Sequence, residues 1–239
     1  MKYILSGDKT ITIMKNFNFI VISILMLSFF SCKEDPQSLP EPSWKSNHLI
    51  NCYIIPDSLE ILNQNSDYYY AEYNALKLAF LISGEKAYSG EVPENPEPAH
   101  VLFDSISNLN HDTGWYGTSG YFNPAVAYPV KNISIVSDHD FDSMHPAGSE
   151  LIDIATIEVG TWGVFVLNGY PYGEEHLVYT NKAFANFSNG EKSLWYHGSN
   201  GIWLPIPTNS NHHIFTITIT FEGEKKISNT IEVNLSSIM

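Results

Sequence analysis

The chain has 239 residues and a net charge of −14 at pH 7, with 26 acidic residues against 12 lysines and no arginine. Such an acidic protein is repelled by nucleic-acid phosphates and by anionic lipid headgroups, which excludes nucleic acid as a partner. The length is sufficient for one domain with a substantial hydrophobic core.

The N-terminal segment has the pattern of a secretory signal peptide. A lysine precedes an apolar run of twelve residues, 19–30, and the small residue Ser31 stands directly before Cys32. The run is shorter than the roughly 20 residues with which a helix crosses a bilayer. We therefore expect residues 1–31 to be removed, with Met14 as the alternative translation start.

The junction around Cys32 resembles the lipobox of bacterial lipoproteins. It departs from that pattern in one respect, because Phe29 stands where leucine is usual. The resemblance implies that the Cys32 thiol carries a diacylglycerol, whose acyl chains, such as palmitate, anchor the protein to the lipid bilayer. Two acyl chains suffice for stable anchoring.

The next three residues, Lys33, Glu34 and Asp35, resemble the export signal of Bacteroidota surface lipoproteins. This resemblance implies a lipid-anchored protein on the outer face of the outer membrane. Three prolines follow by residue 42, and they favour an extended chain. Residues 32–47 are therefore predicted to form a tether, and residues 48–239 a single β-rich domain.

Apolar and polar residues alternate most clearly near the C-terminus, in segments 213–221 and 227–235. This period of two is typical of strands with one buried face, and a turn at 222–225 predicts that the two form an antiparallel hairpin. Further strands are predicted at 76–82, 131–137 and 162–167. Short helical turns are predicted at 149–154 and 180–187, with Ser149 and Thr180 as N-caps. Segments 84–98 and 108–129 are predicted to be loops.

These elements predict an all-β fold with minor short helices. The expected architecture is an antiparallel β-sandwich of the immunoglobulin-like kind. A parallel α/β fold is disfavoured, because no long amphipathic helices alternate with the strands.

Residues 133–153 contain a second segment that resembles a known family. A strand ending in Ser137-Asp138 is followed by Asp-Phe-Asp and by the run from His145 through Pro-Ala-Gly to Ser149. This block resembles one that recurs in Bacteroidota surface lipoproteins of unknown function, as does the closing hairpin. The resemblance implies no particular activity.

The same block supplies the candidate metal ligands, Asp138, Asp140 and Asp142. Their alternation matches the first ligands of a calcium loop, but serines stand where an EF-hand needs glycine and glutamate. A looser calcium site is one hypothesis, and turn formation by the aspartates is the other. Zinc binding by the neighbouring His139 and His145 has no supporting ligand spacing. We expect no other cofactor.

Aromatic residues cluster outside the predicted strands, and the candidate ligand-binding ones are Trp115, Tyr116, Trp195 and Trp203. Such rings either fill the core or stack on the faces of sugars. Two coplanar, exposed rings in one groove would favour sugar binding.

No catalytic motif occurs in the sequence. The leading hypothesis is a non-enzymatic surface lipoprotein that binds an extracellular ligand or envelope protein, or that is a structural module of the envelope. The alternative is a carbohydrate-binding lipoprotein, and a weaker one is a hydrolase that uses paired carboxylates. Cys52, which has no partner once Cys32 is lipidated, is expected to be a buried structural thiol.

Overall fold

Antiparallel strands dominate the part of the chain that the computed structural model describes. The described residues are 45–46, 48–62, 69–70, 74–88, 97–115, 117–118, 123–198 and 200–237. All of these residues belong to one contact unit, Trp44–Met239. Residues 1–44, which include the predicted signal peptide, Cys32 and the export signal, lie outside the described part. The proposed division of the chain therefore stays a prediction.

The strands are β1 (Lys45–Ser46), β2 (Cys52–Ile61), β3 (Tyr69–Tyr70), β4 (Ala75–Tyr88), β5 (Gly117–Thr118), β6 (Pro124–Val126), β7 (Val130–Ser137), β8 (Thr156–Thr161), β9 (Val178–Lys182), β10 (Asn200–Pro205), β11 (His212–Phe221) and β12 (Lys226–Asn234). The helices are α1 (Glu97–Leu109), α2 (Gly163–Leu167) and α3 (Asn189–Lys192), with 3₁₀ turns at Phe184–Asn186 and Leu235–Ser237. No helix in the described residues is both long enough and apolar enough to span a membrane.

The larger sheet has the strand order β6–β2–β4–β10–β8–β9, with β3 paired to β4 beside this path. Its pairings are antiparallel except for β2 with β6, which is parallel. Trp195 and Tyr196 extend the hydrogen bonding: Trp195 bridges to Thr161 in β8, and Tyr196 bridges to Ala125 in β6. This short segment therefore connects the β6 edge to the end of β8. A separate small pairing joins β1 to β5.

The smaller sheet, β12–β11–β7, contains the predicted C-terminal hairpin. The register pairs Phe215 with Ile231 and Ile219 with Ile227 across the hairpin. The strands predicted at 76–82 and 131–137 are also confirmed, within β4 and β7.

The two sheets bury a common core between them. Alternate residues of β4 and β11, which face this core, are almost fully buried: Leu76, Leu78, Phe80 and Ile82, and Phe215, Ile217, Ile219 and Phe221. A side-chain hydrogen bond of 2.7 Å from Asn229 of β12 to the Leu59 carbonyl of β2 connects the sheets at their margin. The predicted all-β, antiparallel sandwich is thus confirmed, while its immunoglobulin-like topology stays a prediction.

A second core cluster forms beside α1, a helix that was not predicted. Phe103 and Ile106 of α1 pack with Tyr53 of β2 and with α2. Pro98 is tolerated because it lies in the first helical turn, where its missing N–H has no intrahelical acceptor. This helix overlaps the end of the segment 84–98 and the start of the segment 108–129, both of which were predicted to be loops.

Several of the local predictions are wrong. The two segments predicted to be loops contain strand residues, because β4 continues to Tyr88 and both β5 and β6 lie within 108–129. Segment 162–167 is not a strand, because the Thr161 hydroxyl accepts a hydrogen bond from the Gly163 N–H at 2.9 Å, and α2 begins there. Segment 180–187 begins inside β9, whose pairing with β8 takes Thr180 into the sheet, and a 3₁₀ turn follows. Segment 149–154 contains turns and an isolated bridge but no helix, and the Ser149 hydroxyl donates backward to the Pro146 carbonyl.

Candidate functional site

An open cleft of about 670 Å³ lies beside the second core cluster. We call it the aromatic cleft and define it by the residues that matter to its chemistry: Trp115, Phe165, Tyr170, Tyr172, Glu174 and His176. Its volume falls in the range of about 300–1,000 Å³ that is usual for small-molecule sites. Trp115 follows α1 in the chain, and the other five residues lie in α2 and the loop after it.

The C-terminus of α2 directs the chain into the cleft. Gly169 and Tyr170 both have left-handed backbone conformations, with φ of +76° and +58°. Their N–H groups donate to the carbonyls of Val166 and Phe165, at 3.0 and 3.1 Å. These two bonds define a Schellman motif, in which glycine takes the left-handed position. The ring centroids of Tyr170 and Phe165 lie 5.8 Å apart, which supplies the hydrophobic contact that accompanies the motif.

Asp112, beyond the end of α1, holds Tyr170 in this unusual conformation. Its Oδ1 accepts hydrogen bonds from the Tyr170 hydroxyl at 3.0 Å and from the Leu49 N–H at 2.9 Å. Its Oδ2 accepts from the Ile50 N–H at 2.9 Å and from the Tyr53 hydroxyl at 3.3 Å. One buried carboxylate therefore connects β2, the segment before it and the wall of the cleft.

Asp112 is buried, and burial disfavours the charged form of its carboxyl group. Desolvation raises the pKa of the Asp112 carboxyl, while the N–H groups of Ile50 and Leu49 lower it in part. Burial and the neighbouring Asp112 charge likewise raise the pKa of the Tyr170 hydroxyl, which is therefore protonated and acts as a donor at neutral pH.

Trp115 forms a wall of the cleft and contacts three other rings. Its ring centroid lies 5.9 Å from those of Phe165 and Tyr170 and 5.1 Å from that of His176, at interplanar angles of 65°, 49° and 77°. The rings therefore surround a space at steep angles and are not coplanar. The indole N–H of Trp115 is buried, and it has no acceptor among the described residues. A buried donor left unpaired costs about 1–3 kcal/mol.

A tight turn at 171–174 presents Tyr172 at the mouth of the cleft. The Glu174 N–H donates to the Pro171 carbonyl at 3.4 Å, and Gly173 has a φ of +84°. Glycine with positive φ at the third position is typical of a type II turn. The Tyr172 side chain is fully exposed.

The four candidate ligand-binding aromatics have different positions. Trp115 lines the cleft, and Tyr116 lies outside the described residues. Trp195 is only 1% exposed, and its indole N–H donates to the Glu191 carbonyl at 2.6 Å. The indole of Trp203 donates to Glu158 at 2.6 Å, and the Lys77 ammonium lies 4.8 Å from its ring centroid.

Sequence reasoning missed Asp112, Tyr170, Tyr172 and His176. Asn168-Gly169 is a C-cap signal, and Pro171 with Gly173 is a turn signal, so the C-cap and the turn could be predicted from the sequence. No local pattern indicates that Trp115, some fifty residues earlier, lies against that loop.

The three candidate metal ligands lie in the loop that follows β7. Each carboxylate accepts backbone N–H groups: Asp138 from Ile214, Asp140 from Ala147, and Asp142 from Met144 and His145. Within the described residues, no group of three or more histidine, cysteine or acidic side chains is placed to hold a metal ion. Asp140 and Asp142 thus stabilise the loop itself, whereas Asp138 attaches it to β11.

Both ring nitrogens of His145 lie within hydrogen-bonding distance of carboxylates in this loop. Nδ1 lies 2.9 Å from an Asp142 oxygen and Nε2 lies 3.2 Å from an Asp153 oxygen. Hydrogen bonds to Asp142 and then to Asp153 raise the pKa of His145, because the imidazolium can donate to both carboxylates at once.

We expect the stabilising contribution of His145 to be larger in acid than in alkali. A raised pKa in the folded state means that this contribution is fully present below the unfolded pKa of about 6.5 and is lost as the pH rises through the folded pKa. His145→Gln should therefore lower the melting temperature more at pH 5.5 than at pH 9, as measured by circular dichroism. Ser143→Ala, in the same loop and exposed, should show no such pH dependence. An equal loss at both pH values for His145→Gln would contradict the expectation.

Ser137 and His213 form a buried pair that is structural. His213 is fully buried, its Nε2 donates to the Ser210 carbonyl at 2.9 Å, and its Nδ1 lies 2.8 Å from the Ser137 hydroxyl. Burial lowers the pKa of His213. Both side chains are shielded from solvent, so this serine and histidine cannot meet a substrate.

Cys52 is buried, which confirms the expectation for this thiol. Burial raises its pKa to about 11, so the reactive thiolate is scarce at neutral pH.

Comparison of the chain with protein-family models finds no match, and neither curated proteins nor solved structures match it.

Proposed function

We propose that this chain is a non-enzymatic surface lipoprotein of the outer membrane, anchored through Cys32, whose β-sandwich binds an extracellular partner in the aromatic cleft. The junction of residues 19–31 with Cys32 supports the anchor, and the export-like Lys33-Glu34-Asp35 supports outward display. The cleft, an open concave surface lined by aromatic side chains, is the observation that carries the binding role.

The cleft favours binding over hydrolysis. Glycoside hydrolysis by carboxylates uses two of them, about 5–10 Å apart across the substrate. Among the described residues that line the cleft, Glu174 is the one carboxylate. Asp112 lies behind Tyr170, where its oxygens are occupied by four donors.

The anchor is tested by metabolic labelling with an alkyne analogue of palmitate in a Bacteroidota host. Wild-type protein should be labelled and Cys32→Ala should not, because the thioether needs this thiol. Cys52→Ala is the matched control: it removes the other cysteine of the chain and should leave labelling intact. Labelling of Cys32→Ala at the wild-type level would refute the anchor.

Surface display is tested separately by adding protease to intact cells. The wild-type protein should be digested, whereas a triple alanine variant of Lys33, Glu34 and Asp35 should be protected while still carrying the acyl label. Protection of the wild-type protein, with a known surface protein digested in the same cells, would reject display.

A further inference from the structure

The aromatic cleft combines apolar faces with a polar margin. Trp115, Phe165 and Tyr170 supply rings, while Glu174 and His176 supply polar groups at the same opening. Ligand sites typically have this composition, with a few polar groups fixing the orientation of a ligand that rests on apolar surface. Tyr172 adds a fully exposed ring at the mouth, where it gains nothing from burial in the free protein.

The backbone of the cleft wall is held in a costly conformation. A non-glycine residue at positive φ is uncommon, and such strain concentrates at functional sites. Tyr170 adopts this conformation, with φ of +58°, and is locked by Asp112 and by its contact with Phe165. The ring is thereby fixed in place before any ligand arrives.

Charge and hydrogen bonding narrow the class of ligand. The net charge of −14 and the presence of Glu174 disfavour an anion. The buried indole N–H of Trp115 has no acceptor among the described residues, and a cation or a hydrocarbon does not supply one. Because this nitrogen is shielded from solvent, the wall must adjust slightly for an oxygen to reach it.

A neutral sugar meets these requirements, because its C–H faces are apolar and its hydroxyl groups both donate and accept. The rings meet at angles of 41° to 81°, so the coplanar pair that would stack on the faces of a sugar chain is absent. They enclose a small volume instead, which fits a single sugar unit and not a flat platform for a long chain. We propose that the aromatic cleft binds a neutral sugar unit at the end of a glycan. This inference rests on the binding role proposed above and names its ligand class.

The test is a printed array probed with the full-length chain in detergent. It carries hexasaccharides of glucose, mannose, galactose and xylose, together with acidic oligogalacturonate. We expect binding to at least one neutral hexasaccharide, weaker or absent binding to oligogalacturonate, and competition by the corresponding free monosaccharide. Isothermal titration calorimetry with the best hexasaccharide then gives Kd for the variants.

Tyr172→Ala should raise that Kd at least fivefold, and because the side chain is fully exposed, the variant should fold normally. Tyr179→Ala is the matched control: this tyrosine is 68% exposed and does not line the cleft, so its Kd should equal that of the wild type. His176→Ala should also weaken binding. Absence of binding to every neutral hexasaccharide, a preference for oligogalacturonate, or a Kd unchanged in Tyr172→Ala would overturn the proposal. Acyl labelling and protease digestion of the same protein would remain positive in that case, which separates this failure from a failure of the proposed anchoring and display.

Discussion

Replacing Asp112 by alanine is expected to destabilise the fold by about 3–5 kcal/mol, one of the two largest single-residue effects that we predict. The substitution removes the acceptor of four donors, two backbone N–H groups and two tyrosine hydroxyls. Relief of the buried charge, which is evident in the raised pKa of this carboxyl, offsets only part of that loss. Urea denaturation followed by circular dichroism measures the change in the free energy of unfolding.

Asp104→Ala is the matched control for this prediction. Asp104 lies on the exposed face of α1, so its replacement should change the free energy of unfolding by no more than about 0.5 kcal/mol. Asp112→Asn should fall between the two, since it keeps one acceptor oxygen but places an amide donor against the N–H of Leu49 or Ile50. A loss below about 1 kcal/mol in Asp112→Ala would show that water replaces the carboxylate without cost.

Trp195→Ala is expected to cost a similar amount, about 3–5 kcal/mol, as large-to-small substitutions of buried tryptophan do. The Trp195 ring is 1% exposed and lies in the main core, and its backbone carbonyl accepts a hydrogen bond of 2.8 Å from the Val126 N–H. The cavity would lie where the segment of Trp195 and Tyr196 joins β6 to β8. Thermal and urea denaturation would both report the loss.

Two variants test whether the burial of the Trp195 ring accounts for this loss of stability. Trp195→Phe retains most of the ring volume and should lose only about 1–2 kcal/mol, mainly through the hydrogen bond to the Glu191 carbonyl. Trp203→Ala removes the same side chain from a partly exposed site and should cost less than Trp195→Ala. Equal losses at Trp195 and Trp203 would contradict the distinction between a core ring and a surface ring.

The position of the aromatic cleft connects these stability predictions with the proposed ligand. Asp112 stabilises the fold and also holds the Tyr170 ring against the cleft. A ligand surface carried by a hydrogen-bonded C-cap and a tight turn loses less conformational entropy on binding than one carried by an irregular loop.

The sequence by itself determined the sandwich, because β4, β7, β11 and β12 each bury alternate side chains more deeply than the side chains between them. Burial of alternate side chains leaves a period of two in the sequence, and the residues at 215, 217, 219 and 221 follow it in the structure as they do in the sequence. β2 was missed for the corresponding reason: its first half is buried on both faces, so no alternation marks it.

The tertiary structure alone decided the candidate site. Trp115 and Tyr170 come together across more than fifty residues. The Asp112 carboxylate that holds Tyr170 accepts hydrogen bonds from Leu49 and Ile50, more than sixty residues earlier. In the sequence, Trp115, Trp195 and Trp203 were equally plausible ligand-binding residues. In the structure, Trp115 is a wall of the cleft, Trp195 is buried in the core, and Trp203 lies beside Lys77. Local periodicity records which face of a strand is buried, whereas the position of a loop side chain depends on contacts between residues that are distant in the chain.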